Sequence, residues 1–157
     1  MSDLELHGER PMRGWKKGAS LLLVVSGSAL AQAPCSAEQA RAVRIGAQRF
    51  AAEVAATPAM QERGLSGRER LAPNAGMWFV FLEAGRPGFW MQGMRFPIDL
   101  VWVNSEQRVV GAATLPICRN DPCPIIYPPA PAAYVLEIAA GRFHGRAGDR
   151  VEWECVP

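Results

Sequence analysis

The chain has 157 residues, a formal net charge of +2 and an isoelectric point near 8.5. Removal of the basic N-terminal segment described below leaves a net charge of about +1. The remaining charges provide no basic patch for nucleic acid or anionic lipid, so neither is expected as a partner. Without that segment, the length fits a single domain.

The first 33 residues are predicted to be a signal peptide. A basic cluster at residues 13–17 precedes an uncharged apolar run at residues 19–30, and small residues follow at which a signal peptidase could cut. Cleavage after Ala31 is favoured over cleavage after Ala33, because the second cut would leave Pro34 at the new N-terminus. We therefore expect a periplasmic or secreted protein in which residues 34–157 form one β domain.

Two alternatives concern this N-terminal segment. The acidic residues before Met12 fit a signal peptide poorly, which favours Met12 as the true start of synthesis. Retention as a membrane anchor is the other alternative, because the uncharged window at residues 18–37 has the roughly 20 residues that a span requires. Polar residues dilute that window, so no membrane span is expected after cleavage.

Short apolar runs separated by turn residues fill the rest of the chain and predict strands. These are placed at residues 43–45, 50–55, 77–82, 89–91, 98–103, 108–113, 134–138 and 150–155. A short helix is predicted between them, with Thr57 as its N-cap, Pro58 in its first turn and Gly64 as its end. About eight short strands at this spacing indicate a mainly β single domain, either a β-sandwich or a small barrel.

Two hairpins and one long loop are predicted from the turn residues. Strand 89–91 is expected to pair with strand 98–103 across a bend that contains Gly93 and Pro97, and residues 104–107 join strand 98–103 to the next strand. Residues 115–133 are too rich in proline for an interior strand and predict a long surface loop.

Cys35, Cys118, Cys123 and Cys155 all follow the predicted cleavage site, and an even number in an exported chain indicates disulfides. Turn-forming residues between Cys118 and Cys123 can bring those two together, which leaves Cys35 to join Cys155. Of the possible pairings, this nested one requires the least rearrangement of the chain. A four-thiolate metal site is the alternative, but the paired C-x-x-C spacing is missing.

Motifs for catalysis are incomplete. Residues 64–68 resemble a nucleophile elbow, but Arg68 stands where the final glycine belongs and the strand-to-helix context is missing. No zinc-protease helix, phosphate loop or dinucleotide-binding loop is present. Met77, Met91 and Met94 could bind Cu(I), although methionines more commonly fill core gaps. No catalytic residue, metal or cofactor is assigned.

Two carboxylates, Asp99 and Glu137, each stand between apolar residues of a predicted strand. An ionised carboxylate is costly to bury unless it meets a donor, a cation or water. If both faced one cleft they could support a carboxylate-based hydrolase of the cell envelope, which is the alternative function. Exposure or pairing with arginine is the simpler interpretation.

The preferred interpretation is a non-catalytic binding or interaction module of the cell envelope, and no protein partner is assigned. Its ligand would be a small polar molecule or a saccharide held in a pocket bordered by an aromatic ring. The candidate ligand-binding residues are Arg68, Trp90, Arg95 and Asp99. Trp78 and Trp102 are assigned to the core. A disulfide-stapled structural protein without a ligand is a third interpretation.

Several short motifs occur in a fixed order along the chain. They are Thr57-Pro58, Glu62-Arg63-Gly64-Leu65-Ser66-Gly67-Arg68, Gly76-Met77-Trp78-Phe79-Val80-Phe81, Phe89-Trp90-Met91, Pro97-Ile98-Asp99, Tyr134-Val135-Leu136-Glu137 and Gly148-Asp149-Arg150-Val151. Together they resemble domain-of-unknown-function family 192, often found on exported bacterial and archaeal proteins. The resemblance implies a compact, mainly β fold and implies no activity.

The chain departs from the pattern of that family at two places. The family usually has methionine where Ser66 stands. After Trp90 and Met91 it favours lysine, asparagine and threonine, whereas this chain has Gln92, Gly93 and Met94. If the polar turn of the relatives binds a ligand, part of that turn is missing here.

Overall fold

The computed structural model describes residues 35–119 and 121–155, so the predicted signal peptide lies outside the described residues. These residues form seven strands, one short α-helix and a 3₁₀ turn at Ala37–Gln39. The strands are β1 (Ala42–Ile45), β2 (Gln48–Ala55), β3 (Ala75–Gly85), β4 (Ile98–Val103), β5 (Val109–Leu115), β6 (Ala132–Ala139) and β7 (Val151–Glu154), and the helix is α1 (Pro58–Arg63). Within the described part of the chain, no helix is both long and apolar enough to cross a membrane.

The strands form one curled half-barrel sheet in the order β5-β4-β6-β3-β2-β1-β7. All neighbours are antiparallel except β2 and β3, which run parallel. A parallel pair needs a crossover connection, and α1 lies in the crossover from β2 to β3. The mainly β prediction is confirmed, with seven strands where about eight were expected.

Apolar side chains cover both faces of the sheet. We call the face that carries Trp78, Val101 and Leu136 the inner face and the face that carries Phe79 and Leu100 the outer face. The sheet curls toward its inner face, where the start of β5 meets the segment before β7 and the amide of Val109 donates to the carbonyl of Asp149 at 2.9 Å. The helix and the long loops pack on the outer face.

Local sequence signals were sufficient for α1 and for the β4–β5 hairpin. The Thr57 hydroxyl accepts from the Met60 amide at 3.4 Å, Pro58 begins the helix and Gly64 ends it, as predicted. In the hairpin, the side-chain oxygen of Asn104 accepts from the amide of Arg108 at 2.8 Å. Trp78 and Trp102 are buried, as expected, but they lie on opposite faces of the sheet.

The predicted strand 89–91 and its hairpin with β4 are wrong. β4 pairs with β5 on one side and with β6 on the other, so neither edge is free for residues 89–91. Instead, Phe89 forms an isolated antiparallel β-bridge with Ile126: the amide of each residue donates to the carbonyl of the other, at 2.9 and 2.7 Å. Residues 86–97 therefore form a loop over the outer face.

Both predicted disulfides, Cys35–Cys155 and Cys118–Cys123, are present in the structure. The first joins the start of the described domain to the residue after β7. The second closes a small ring within the long loop between β5 and β6, where a loop was predicted. That same loop supplies Ile126 to the bridge with Phe89.

Candidate ligand-binding site

Glu137 is a buried carboxylate in the middle of the sheet. It lies on β6, directly opposite Met77 of β3 and Leu100 of β4, so an apolar side chain flanks it on each side. Directly paired residues share a face of a sheet, which places Glu137 on the outer face. Only 6% of the residue is exposed.

The carboxyl group of Glu137 is only partly satisfied by hydrogen bonds. The backbone amide of Leu65 donates to it, while its Oε2 atom has no hydrogen-bond partner. Desolvation by burial raises the pKa of Glu137 from 4.5 to about 8, although the Arg68 guanidinium and the Leu65 amide both oppose the shift. Glu137 is therefore mostly protonated at neutral pH.

Helix α1 and the residues after it cover Glu137. The Gln61 side-chain amide donates to the carbonyls of Ala55 and Val80, at 3.2 and 2.8 Å, and so ties the helix to β2 and β3. Gly64 ends the helix at φ +51° and ψ −136°, a conformation available almost only to glycine. A Cβ on Gly64 would stand 3.5 Å from Glu137 Oε2, so the chain passes close to the carboxyl group.

Aromatic rings form the wall beside Glu137. Phe79 and Phe89 meet edge to face with ring centroids 5.2 Å apart, and Phe81 lies 6.5 Å from each of them. Trp90 follows Phe89 and is 42% exposed. The bridge between Phe89 and Ile126 holds this wall in place, because it joins residues 86–97 to the disulfide-containing loop.

A cavity of about 620 Å³ lies between α1, the aromatic wall and the sheet. Its size falls within the range of small-molecule sites. The apolar lining includes Leu65 and Met94, and the polar side chains are those of Gln61, Glu62, Arg63, Ser66, Gln92 and Glu137. Among these, Glu137 combines deep burial with an unpartnered polar atom.

The predicted site residues are distributed differently around this cavity. Trp90 lines it. Arg68 pairs with Glu53 at 2.7 Å, outside the lining, yet stands close enough to lower the pKa of Glu137. Arg95 is exposed and lies 3.4 Å from Glu69. The structure therefore groups Trp90 and Arg68 near Glu137 and leaves Arg95 at the surface.

Asp99 is buried as expected, but on the inner face. It pairs with Ile138 of β6, which belongs to the inner cluster. One carboxylate oxygen accepts from the Thr114 hydroxyl at 2.6 Å, and the other accepts from the amides of Arg142 and Phe143 at 2.9 and 3.0 Å. Asp99 thus anchors the loop between β6 and β7 and is separated from the other three residues by the sheet.

The two-carboxylate cleft expected for a hydrolase does not form. Asp99 and Glu137 are one register position apart on neighbouring strands, so their side chains point to opposite faces. The shared cleft that the alternative hydrolase interpretation required is therefore absent for this pair. What the structure offers is a single buried carboxyl group at the floor of an aromatic-walled cavity.

Such a cavity, built on the outer face of a half-barrel, defines a class of β domain with an open small-molecule-sized cavity over a buried carboxyl group. Residues 41–153 match the model of domain-of-unknown-function family 192, described as "Uncharacterized ACR", and the chain belongs to that family. The suspected resemblance is confirmed. No curated protein matches the chain.

Two solved structures share the fold. A protein of unknown function from Novosphingobium aromaticivorans DSM 12444 is 30% identical, with a TM-score of 0.66 over 71% of this chain and 84% of its own. A proposed transcription regulator from Sinorhizobium meliloti 1021 is 29% identical, with a TM-score of 0.66 over 73% of this chain and 94% of its own.

Proposed function

We propose that this protein is an exported, non-catalytic binding module that holds a small ligand in the cavity above Glu137. One observation carries the proposal: Glu137, whose buried Oε2 atom lacks a hydrogen-bond partner, lines a cavity of about 620 Å³. Buried polar groups in folded proteins are almost always hydrogen-bonded, so an unpaired one beside a cavity favours a missing partner. A ligand would supply it.

The wall of the cavity supports binding rather than a purely structural role. Complete burial of the aromatic residues would favour a structural protein without a ligand, whereas Trp90 is 42% exposed at the cavity. An exposed indole beside buried phenylalanines suits a ligand with one polar group and an apolar body.

Two disulfides support export, because such bonds persist in oxidising compartments. Regulation of transcription, the role proposed for the Sinorhizobium relative, is not carried over to this chain. The positive and negative side chains of the present chain nearly balance in number, so its net charge does not favour binding to DNA.

A thermal-shift screen of small sugars, alcohols, amines and carboxylic acids tests the proposal. A ligand present at 100 times its Kd should raise the free energy of unfolding by about 2.7 kcal/mol. Backbone amide shifts in NMR spectra should then change around Leu65, Trp90 and Glu137. Shifts centred on Ile117 and Ile126, at a separate depression of about 310 Å³, would move the site away from Glu137.

A further inference from the structure

The floor of the cavity contains one polar atom without a hydrogen-bond partner, the buried Oε2 of Glu137. Gln61 is already bonded to two backbone carbonyls, and the Leu65 amide is bonded to Glu137. Phe79 and Leu65, both buried, supply apolar surface beside the carboxyl group. A single unpaired oxygen within an otherwise apolar floor suits a ligand that brings one polar group to this point.

The charges around Glu137 leave it without a direct cationic partner. From the segment after α1, Arg68 is paired with Glu53 of β2 at 2.7 Å. From α1, Glu62 and Arg63 reach the cavity as an exposed pair of opposite charge. Met77 and Leu100, the neighbours of Glu137 on β3 and β4, are uncharged. Arg68 acts on Glu137 without forming an ion pair with it, so the ionised form of Glu137 lacks a directly paired cation among the described side chains.

The aromatic wall is suited to a cation. The faces of phenylalanine and tryptophan rings attract ammonium ions, most strongly where water is excluded. Phe81, Phe89 and Trp90 line the same cavity as the carboxyl group, so one ligand could meet both. An apolar body attached to the ammonium would cover the rings that the cavity leaves accessible.

We infer that the ligand of this cavity is a small organic ammonium ion, with its charged head toward the carboxyl group of Glu137 and its apolar body against Phe81 and Phe89. This inference rests on the proposed function and specifies the ligand class. Binding requires Glu137 to release its proton, because an ammonium ion has no acceptor for it. Affinity is consequently linked to the protonation of Glu137.

Three probes with the same alkyl chain separate the ligand classes: hexylammonium, hexan-1-ol and hexanoate. The ammonium group stays charged up to pH 8, as a lysine side chain does. Because burial raises the pKa of Glu137 to about 8, the affinity for hexylammonium should rise about 50-fold from pH 6 to pH 8. The affinity for hexan-1-ol should not rise over that range.

Calorimetric titration of the disulfide-bonded protein at both pH values measures these affinities. Glu137→Gln should weaken hexylammonium binding at pH 8 and abolish its pH dependence, whereas Glu106→Gln, in the exposed β4–β5 turn, should change neither. The wild-type pH dependence is informative even if Glu137→Gln does not fold. Tighter binding of hexan-1-ol or hexanoate than of hexylammonium at pH 8 would overturn the ammonium assignment and leave the binding module standing. No binding by any member of the set would count against both.

Discussion

Replacement of Glu137 by glutamine should change how the stability of the protein depends on pH. Burial raises the pKa of Glu137 to about 8 in the folded protein, whereas the unfolded chain has its ordinary value of 4.5. Between these two values the folded state binds more protons than the unfolded state. The free energy of unfolding must therefore fall as pH rises through this window and level off above pH 8.

The size of this effect follows from the shift. Each unit of pKa shift corresponds to about 1.4 kcal/mol, so the full loss across the window is on the order of 4 to 5 kcal/mol. Between pH 5 and pH 8 alone, Glu137 should account for a loss of about 3 to 4 kcal/mol. Glutamine has a similar shape, keeps a carbonyl oxygen for the Leu65 amide and does not titrate. Glu137→Gln should therefore equal wild type near pH 4.5 and exceed its stability at pH 8.

Urea unfolding at several pH values, with the disulfides intact, measures the difference between the two proteins. Glu106→Gln removes an exposed carboxylate from the β4–β5 turn and should retain the wild-type slope. Subtracting the free energy of unfolding of wild type from that of Glu137→Gln at each pH leaves only the contribution of Glu137, because every other titratable group is present in both proteins. If the two proteins give parallel curves from pH 5 to pH 8, Glu137 does not titrate as a desolvated acid.

Three further predictions follow from other contacts. Asp99→Leu leaves the amides of Arg142 and Phe143 without their acceptor and should cost about 2 to 5 kcal/mol in urea unfolding, without changing ligand affinity at Glu137. Replacing Cys35 and Cys155 by serine opens a disulfide with a sequence separation of 120 and should lower the free energy of unfolding by about 5 kcal/mol. Replacing Cys118 and Cys123, whose separation is 5, should lower it by about 2 kcal/mol. Equal losses for the two pairs would refute the chain-entropy argument. Gly64→Ala forces alanine into a backbone conformation reserved for glycine and should cost about 1 to 3 kcal/mol, whereas Gly85→Ala, which meets open space, should cost less.

The sequence predicted the elements whose signals are local. The Thr57 cap, the proline after it and Gly64 act within one short segment, so α1 was placed at both ends. Strand 89–91 failed because its bridge partner, Ile126, lies far along the chain in a loop too rich in proline to suggest pairing. The pattern of apolar residues cannot reveal a partner that is distant in sequence.

The faces of the sheet that Asp99 and Glu137 occupy could not be read from the sequence, for a different reason. Every residue of β4 is buried, and β6 is buried on both faces along most of its length. Alternation between apolar and polar residues normally shows which face of a strand a side chain occupies, and strands covered on both sides do not show it. Both carboxylates could therefore be recognised as unusual, but only the register between β4 and β6 separates the inner one from the outer one.

The two departures from the family pattern, at Ser66 and at Gly93, lie next to each other beside the cavity. Ser66 lines the cavity, and a Cβ on Gly93 would collide with the hydroxyl of Ser66. The amide of Gly67 donates to the carbonyl of Gly93 at 3.0 Å, which holds the two segments together at this point. In this structure the Ser66 hydroxyl occupies the space next to Gly93, so the two departures lie side by side in the rim of the cavity. The residues at this rim, Ser66 and Gly93, are distinct from Glu137 at the floor, so the chain departs from the family pattern beside the buried carboxyl group and not at it.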